Sequence, residues 1–294
     1  MSEDPILSFA EKQAWLAPIE ETGGALVRRA YESAGETGQA VKNALHGVWF
    51  GHPLHAAITD VPVGCWTAAA VLDSLDACGQ KQYAAGADAA IAVGLVGAVG
   101  SAITGLTDWS EMDGKPRRVG ALHGLLNFAA AALYAGSCAA RKTSHRALGR
   151  ALGFTGFGVV LASAYLGGAM SYRQRMGVDH SPDIDNELPE NFKPILLESD
   201  LPEGRPQKAK LDGVDIFLLK RAGQIFALAE KCAHLGGPLS EGEIRNDSVI
   251  CPWHGSRFCL RTGAVLDGPA THPQPKLELA VRDGQILVRR PAAA

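Results

Sequence analysis

Two short motifs hold the residue types best suited to chemistry: Cys232-Ala233-His234 and Cys251-Pro252-Trp253-His254, together C-x-H-x16-C-x2-H. Two thiolates and two imidazoles can complete a tetrahedral zinc site. The same four donors can hold a [2Fe–2S] cluster, with sulfurs on one iron and nitrogens on the other. Spacing favours the cluster. Zinc sites of two cysteines and two histidines usually gather the cysteines in one knuckle and the histidines in another. Here each motif supplies one of each, so two hairpin loops can clamp a two-iron object from both sides. Cys259, next to Phe258, reads as a buried strand thiol and not as a fifth ligand.

The elements that must position these loops are short and alternating. VDIFLLK, QIFALA, SVICPW, KLELAV and QILVRR read as strands, separated by Asp-Gly at 212–213 and 283–284 and by RNDS at 245–248. A compact all-β domain over 193–294 follows, large enough to bury a core of its own. The polar stretch RQRMGVDHSPDIDNELPENF (173–192) precedes it as a linker.

CAHLGGPLSEG (232–242), CPWHGSRFCLRTGAVLDGPA (251–270) and VRDGQILV (281–288) resemble the two ligand loops and closing strands of the Rieske iron–sulfur domain, over roughly 193–290. The resemblance implies one [2Fe–2S] cluster, with Cys232 and Cys251 on the buried iron and His234 and His254 on the outer iron. High-potential members carry an extra cysteine in each loop, joined as a disulfide beside the cluster. Gly237 and Trp253 stand at the matching positions, and Phe258 stands where those members place a tyrosine that bonds a ligand sulfur. Ser256 is either one remaining donor or a simple loop serine. Fewer hydrogen bonds to sulfur predict a potential in the lower part of the ~−150 to +300 mV Rieske span. The pattern is closer to the ferredoxins of dioxygenase systems, which implies a redox partner protein, a reductase or an oxygenase. A Rieske oxygenase in its own right is not expected. That chemistry needs a mononuclear iron domain, and 40 residues with one histidine, His272, follow His254.

Composition places the remainder. The 294 residues carry 28 basic and 31 acidic side chains, a net charge of −3 that gives no argument for nucleic acid. Six cysteines are too few for a disulfide scaffold. A mean hydropathy of +0.02 hides a strong asymmetry. Four Ala/Gly/Leu/Val-rich stretches, near 54–75, 83–107, 119–140 and 147–172, each approach the ~20 residues that cross a bilayer. A soluble Ala-rich bundle is the other reading, but 119–140 holds no charged residue and so lacks the polar face of a surface helix. The expected architecture is multi-domain: a polar, peripheral helical segment (1–50), a four-span α-helical membrane bundle (51–172), the linker, and the all-β domain. Its opening HPLHA and later LHGLLN resemble a bacterial four-helix membrane family of unknown function, DUF2231-like. Arg28-Arg29 is not followed by an apolar stretch, so no cleaved export signal is expected. Six basic residues near one membrane face against five near the other leave orientation open. The lack of an export signal and of a bridge beside the cluster favours a multi-pass inner-membrane protein with a cytoplasmic cluster domain.

A second, speculative site lies in the membrane half. His52, His55 and Thr59 would share one helical face, with Asp60 roughly 80–100° away. Asp108 ends the second span, and His123 opens the third with Asn127 at i+4. His52, His55, Asp108 and His123 are then candidates for haem or metal ligation, for a quinone pocket, or for hydrogen bonds that lock the bundle. SAITGL (101–106) and SAYLGG (163–168) hint at an internal duplication of span pairs. Asp60, Asp73 and Asp88 read as hydroxyl-paired or interfacial groups ahead of a proton relay, and Cys65, Cys78 and Cys138 as small packing residues. Three functions remain: a one-electron carrier on an inert anchor, an oxidoreductase subunit whose membrane part holds haem or quinone, and a redox sensor.

Overall fold

The computed structural model describes residues 4–292, so the first three residues of the expected N-terminal segment and the last two of the β domain lie outside it. The chain forms two units. One is helical (Met1–Leu45 with Pro53–Met176); the other (Gly177–Ala294) is built on strands and also takes in the segment His46–His52.

The helical unit opens with α1 (Pro5–Glu11), α2 (Ala17–Ser33) and α3 (Gly35–His46), and continues with α4 (Leu54–Ile58), α5 (Asp60–Ala77), α6 (Ala84–Ser110), α7 (Gly114–Lys142) and α8 (Arg146–Tyr172). Asp4 caps α1, its carboxylate accepting the N–H groups of Ile6 and Leu7 at 3.0 and 3.2 Å, with Pro5 at the first helical position. The bundle closes around Trp66 stacked on Tyr134, ring centroids 4.2 Å apart, with Ala69, Ile91, Ala130 and Val160 about them. Gly94 makes room for the indole: a Cβ there would lie 2.3 Å from Nε1 of Trp66. Outward faces are apolar, Val96 of α6 and Phe128 of α7 each being 75 % exposed.

Among the described residues, three helical segments are long and apolar enough to cross a membrane: Lys81–Ser110, Gly114–Lys142 and Arg146–Tyr172. The expectation of four meets a difference at the first. That stretch is divided into α4 and the 18-residue α5, and α5 carries Asp60, Asp73 and Asp76. Pro53 is the N-cap of α4, so His52 lies before the helix and shares no face with His55 and Thr59, contrary to the expectation. A residue preceding proline is driven out of the helical region.

Of the acidic groups expected to be hydroxyl-paired or interfacial, Asp73 and Asp88 take arginine partners instead of hydroxyls. Asp73 pairs with Arg141, Asp88 bonds Arg141 and Arg146 at 2.8 and 3.0 Å, and Asp76 bonds Arg146 and Arg150 at 2.8 and 2.7 Å. Asp73, Asp76 and the Arg141 guanidinium are buried. Charges this deep persist only when paired. Asp60 is exposed at the start of α5, and Cys78, which caps α5, is exposed and is not a packing residue, whereas Cys65 and Cys138 are half-buried.

The second unit holds α9 (Ile184–Glu187) and ten strands: β1 (Lys193–Leu197), β2 (Gln207–Leu211), β3 (Val214–Arg221), β4 (Gln224–Ala229), β5 (Glu243–Arg245), β6 (Ser248–Ile250), β7 (Arg257–Cys259), β8 (Val265–Asp267), β9 (Glu278–Arg282) and β10 (Gln285–Arg289). They make three antiparallel sheets ordered β1-β10-β9, β2-β3-β4 and β5-β6-β7-β8. The two expected Asp-Gly pairs are two-residue hairpin loops: Leu211 pairs Val214 and Arg282 pairs Gln285, with φ positive at both loop residues in each. That is the turn whose twist matches paired strands. Strand β3 is apolar on both faces because both are covered. Ile216 and Leu218 enter one cluster with Ile286 and Val288, while Phe217 and Leu219 enter another with Phe258 and Leu260. The second cluster also contains Cys232 and Cys251.

Candidate metal centre

The two motif loops are built alike. The Gly236 N–H donates to the Cys232 carbonyl at 2.8 Å, and the Gly255 N–H to the Cys251 carbonyl at 3.1 Å. Both glycines close the turn at positive φ, +77° and +75°, which an L side chain adopts only under strain. The Cys232 N–H donates to the Gly237 carbonyl at 2.9 Å and the Cys251 N–H to the Ser256 carbonyl at 2.8 Å, closing each loop at its base.

This geometry aims backbone N–H groups at sulfur. The N–H groups of His234 and Leu235 donate to the Cys232 sulfur, and those of Trp253 and His254 donate to the Cys251 sulfur. Both thiols are buried and hydrogen-bond to each other. That bond, with burial, raises Cys232 far above the usual thiol range, and the same bond lowers Cys251 against its own burial. The imidazoles of His234 and His254 are half-buried, with centroids 4.9 Å apart and planes 87° apart. The donors therefore stand as a sulfur pair and an imidazole pair. Among the described residues no three His, Cys, Asp or Glu side chains gather as one metal ion would require. A two-iron object fits this donor set: two soft anionic sulfurs fed by four N–H donors on the inside, and two half-buried imidazoles beside them.

The surroundings fix the loops. Gly237 is required by closeness, since a Cβ there would lie 2.8 Å from the Cys251 sulfur and 3.1 Å from Cγ of Trp253. Positions 237 and 253 thus face each other, and all six cysteines are free. Ser256 is buried and its Oγ accepts the Ala270 N–H at 3.0 Å. Phe258 is fully buried in the core and brings no hydroxyl. Cys259 ends β7 half-buried, its carbonyl accepting the Gly263 N–H at 2.8 Å. Glu230 is buried two residues before Cys232 and accepts the Ser240 hydroxyl at 2.6 Å; burial holds its carboxyl above the usual range, against the Ser240 bonds.

One residue that matters here escaped the sequence reading. Gln274 is 1 % exposed, and its Oε1 accepts the Ala233 N–H at 2.9 Å. Its Nε2 donates to the carbonyls of Ala229 and Lys231, both at 2.7 Å. It pins the first loop from 40 residues away. The sole sequence signal is a lone glutamine between Pro273 and Pro275.

The speculative membrane set is divided between the two units. His55 and His123 come together, ring centroids 6.4 Å apart. His52 belongs to the β unit, where its ring meets that of His272 at 6.0 Å. Asp108 stands near the end of α6, its carbonyl accepting the Glu111 N–H at 3.1 Å.

Residues 191–280 match the family described as Rieske [2Fe–2S] domain. Over 95 residues the chain is 37 % identical to the 3-phenylpropionate/cinnamic acid dioxygenase ferredoxin subunit of Photorhabdus laumondii, covering 32 % of this chain and 90 % of that protein. The chain belongs to the Rieske [2Fe–2S] family. The Escherichia coli K12 protein of the same description is 34 % identical over 96 residues, covering 32 % of this Rieske protein and 90 % of the relative. Among solved structures, the ferredoxin of carbazole 1,9a-dioxygenase from Nocardioides aromaticivorans IC177 is similar at 24 % identity and a TM-score of 0.33, covering 35 % of this chain and 100 % of that one. Residues 51–180 of the Rieske chain match a second family, described as predicted membrane protein (DUF2231). A Rieske domain implies a [2Fe–2S] cluster, and the protein is an electron carrier of the ferredoxin type.

Proposed function

We propose that the chain is a membrane-anchored, ferredoxin-type Rieske protein that passes single electrons to or from a separate redox protein. Cys232 and Cys251 would hold one iron, and His234 and His254 the other. The observation that carries this reading is the matched pair of loops, each bringing one sulfur, one imidazole and two sulfur-directed N–H donors to the same place. When bound, the cluster takes up and releases one electron. The four N–H donors stabilise negative charge on the sulfurs, and the apolar cluster around Phe217, Phe258 and Leu260 keeps water from them. The half-buried imidazoles form the side that a partner can approach. Trp253, 58 % exposed and 6.4 Å from the His254 ring, adds an aromatic edge for docking. Phe258 without a hydroxyl, and Gly237 and Trp253 without a bridge, support a potential low in the Rieske range. The name of the relatives, dioxygenase ferredoxin subunits, makes an oxygenase or its reductase the fitting partner class.

The helical unit serves as anchor in an inner membrane. With α5 counted as a span beside the three long apolar segments, the chain crosses four times and both ends share one side, which we assign to the cytoplasm. Reporter fusions at Leu45, in the α7–α8 turn and at the C-terminus test this topology.

The chemical test is a reduced-minus-oxidised spectrum with electron paramagnetic resonance on anaerobically purified full chain. A broad visible bleach and a Rieske-type signal at two irons per chain are expected, both lost in Cys232→Ser and Cys251→Ser. Zinc in place of iron, or a signal untouched by either substitution, would overturn the reading.

A further inference from the structure

Two histidines of the helical unit are held in the same way by two stretches of chain that repeat each other. The Nδ1 of His55, on α4, lies 2.9 Å from the carbonyl oxygen of Ser101 on α6. The Nδ1 of His123, on α7, lies 2.9 Å from the carbonyl oxygen of Ser163 on α8. Both serines open the same pattern, Ser-Ala-x-x-Gly, at 101–105 and 163–167. In both, the glycine lies against the imidazole. A Cβ on Gly105 would be 2.8 Å from Cε1 of His55, and one on Gly167 would be 3.2 Å from Cε1 of His123. The duplication hinted at by the sequence is thus a duplicated imidazole seat.

The chemistry of that seat is specific. The Ser163 hydroxyl lies 2.9 Å from Nδ1 of His123 and the Thr104 hydroxyl 3.4 Å from Nδ1 of His55, but each has a carbonyl to donate to, His123 at 3.2 Å and Gly100 at 2.9 Å. A carbonyl oxygen only accepts, so these contacts favour the tautomer with hydrogen on Nδ1 and the lone pair on Nε2. Anchoring the far nitrogen on a main-chain carbonyl is how metal-ligating histidines are oriented. The centroids are 6.4 Å apart and the planes 90° apart. Imidazole nitrogens sit about 2.0–2.1 Å from a bound metal, so two rings on opposite sides of one ion have centroids about 6.3 Å apart. Cofactor sites in helix bundles are built in this way, from side chains on facing helices.

We propose that His55 and His123 are paired Nε2 ligands of one transition-metal centre, either a haem iron or a copper(I) ion. Both accept two imidazoles. In the haem the macrocycle supplies the other positions; copper(I) is satisfied by two donors. Asn127 Nδ2 lies 3.0 Å from Nε2 of His123, capping the lone pair in the metal-free seat, and must turn aside when metal enters. The proposal is independent of the iron–sulfur reading, because its ligands and its spectrum are separate.

The test uses the full chain in detergent, titrated with haemin and, in a separate sample, offered copper(I) in competition with bicinchoninate. Sharp reduced bands of a six-coordinate low-spin haem at one per chain identify haem. Retention of one copper per chain identifies the ion. In either case His55→Ala and His123→Ala weaken binding at least tenfold, with His55→Gln as the less disruptive companion. Asn127→Ala keeps binding, and added imidazole restores the six-coordinate haem spectrum in the alanine variants. The proposal falls if neither probe binds at one per chain, or if binding is equal in histidine variants that keep wild-type helical circular dichroism.

Discussion

Gln274→Leu is the sharpest probe of how the first ligand loop is held. The side chain is 1 % exposed and satisfies three main-chain groups, the Ala233 N–H and the carbonyls of Ala229 and Lys231. Leucine keeps the volume, so no cavity contributes. Each buried polar group stripped of its partner costs about 1–3 kcal/mol, and less for carbonyls that keep a second acceptor site. Three such groups together cost about 3–5 kcal/mol, a large share of a typical domain stability of roughly 5–15 kcal/mol. For a unit of this size that loss lowers the unfolding midpoint by roughly 10–20 °C. The assay is loss of the visible circular dichroism of the bound cluster on heating, in full chain at fixed detergent and scan rate. Wild-type helical signal should persist while the cluster signal is lost early. A midpoint within about 4 °C of wild type, less than 1 kcal/mol on the same scale, would refute the claim that Gln274 organises the loop.

Other outcomes follow from the same geometry. Gly237→Ala sets a methyl 2.8 Å from the Cys251 sulfur, so iron and labile sulfide per chain should fall severalfold, as measured by chemical analysis after anaerobic purification. Arg141→Leu leaves buried Asp73 with only the long 4.0 Å contact to Arg146, and breaking its close pair costs about 3–5 kcal/mol; thermal unfolding of the helical signal should drop sharply, with partial recovery in the Arg141→Leu/Asp73→Asn double variant. The Tyr165 hydroxyl, then the Leu7 N–H and Arg173, hold the Asp4 carboxyl below its usual range. A folded pKa below the unfolded one gives stability that is present above about pH 4 and is lost as pH falls through the folded value. Proteolysis near α1 should therefore accelerate in acid below about pH 4, and Asp4→Asn should remove that pH dependence.

The cluster loops were legible because their chemistry is local. Cysteine, histidine and a glycine four residues after each cysteine lie within one turn, and turn geometry is set by neighbouring residues. The Asp-Gly hairpins and the apolar helices were legible for the same reason, since periodicity and φ preference act over a few residues. The first apolar stretch is harder to read, because composition does not reveal that Pro53 starts a short helix and that Asp73 and Asp76 have guanidinium partners.

Residue order alone specifies the donor set and the class of element that carries it. Which distant groups meet is a matter of packing. Arg141 reaches Asp73 across 68 positions, Gln274 reaches Ala233 across 41, and His55 meets His123 across 68. The physical reason is that a buried charge or polar group is tolerated only beside a partner, and packing of separate elements selects that partner. Residue identity states the need for a partner; the fold names it.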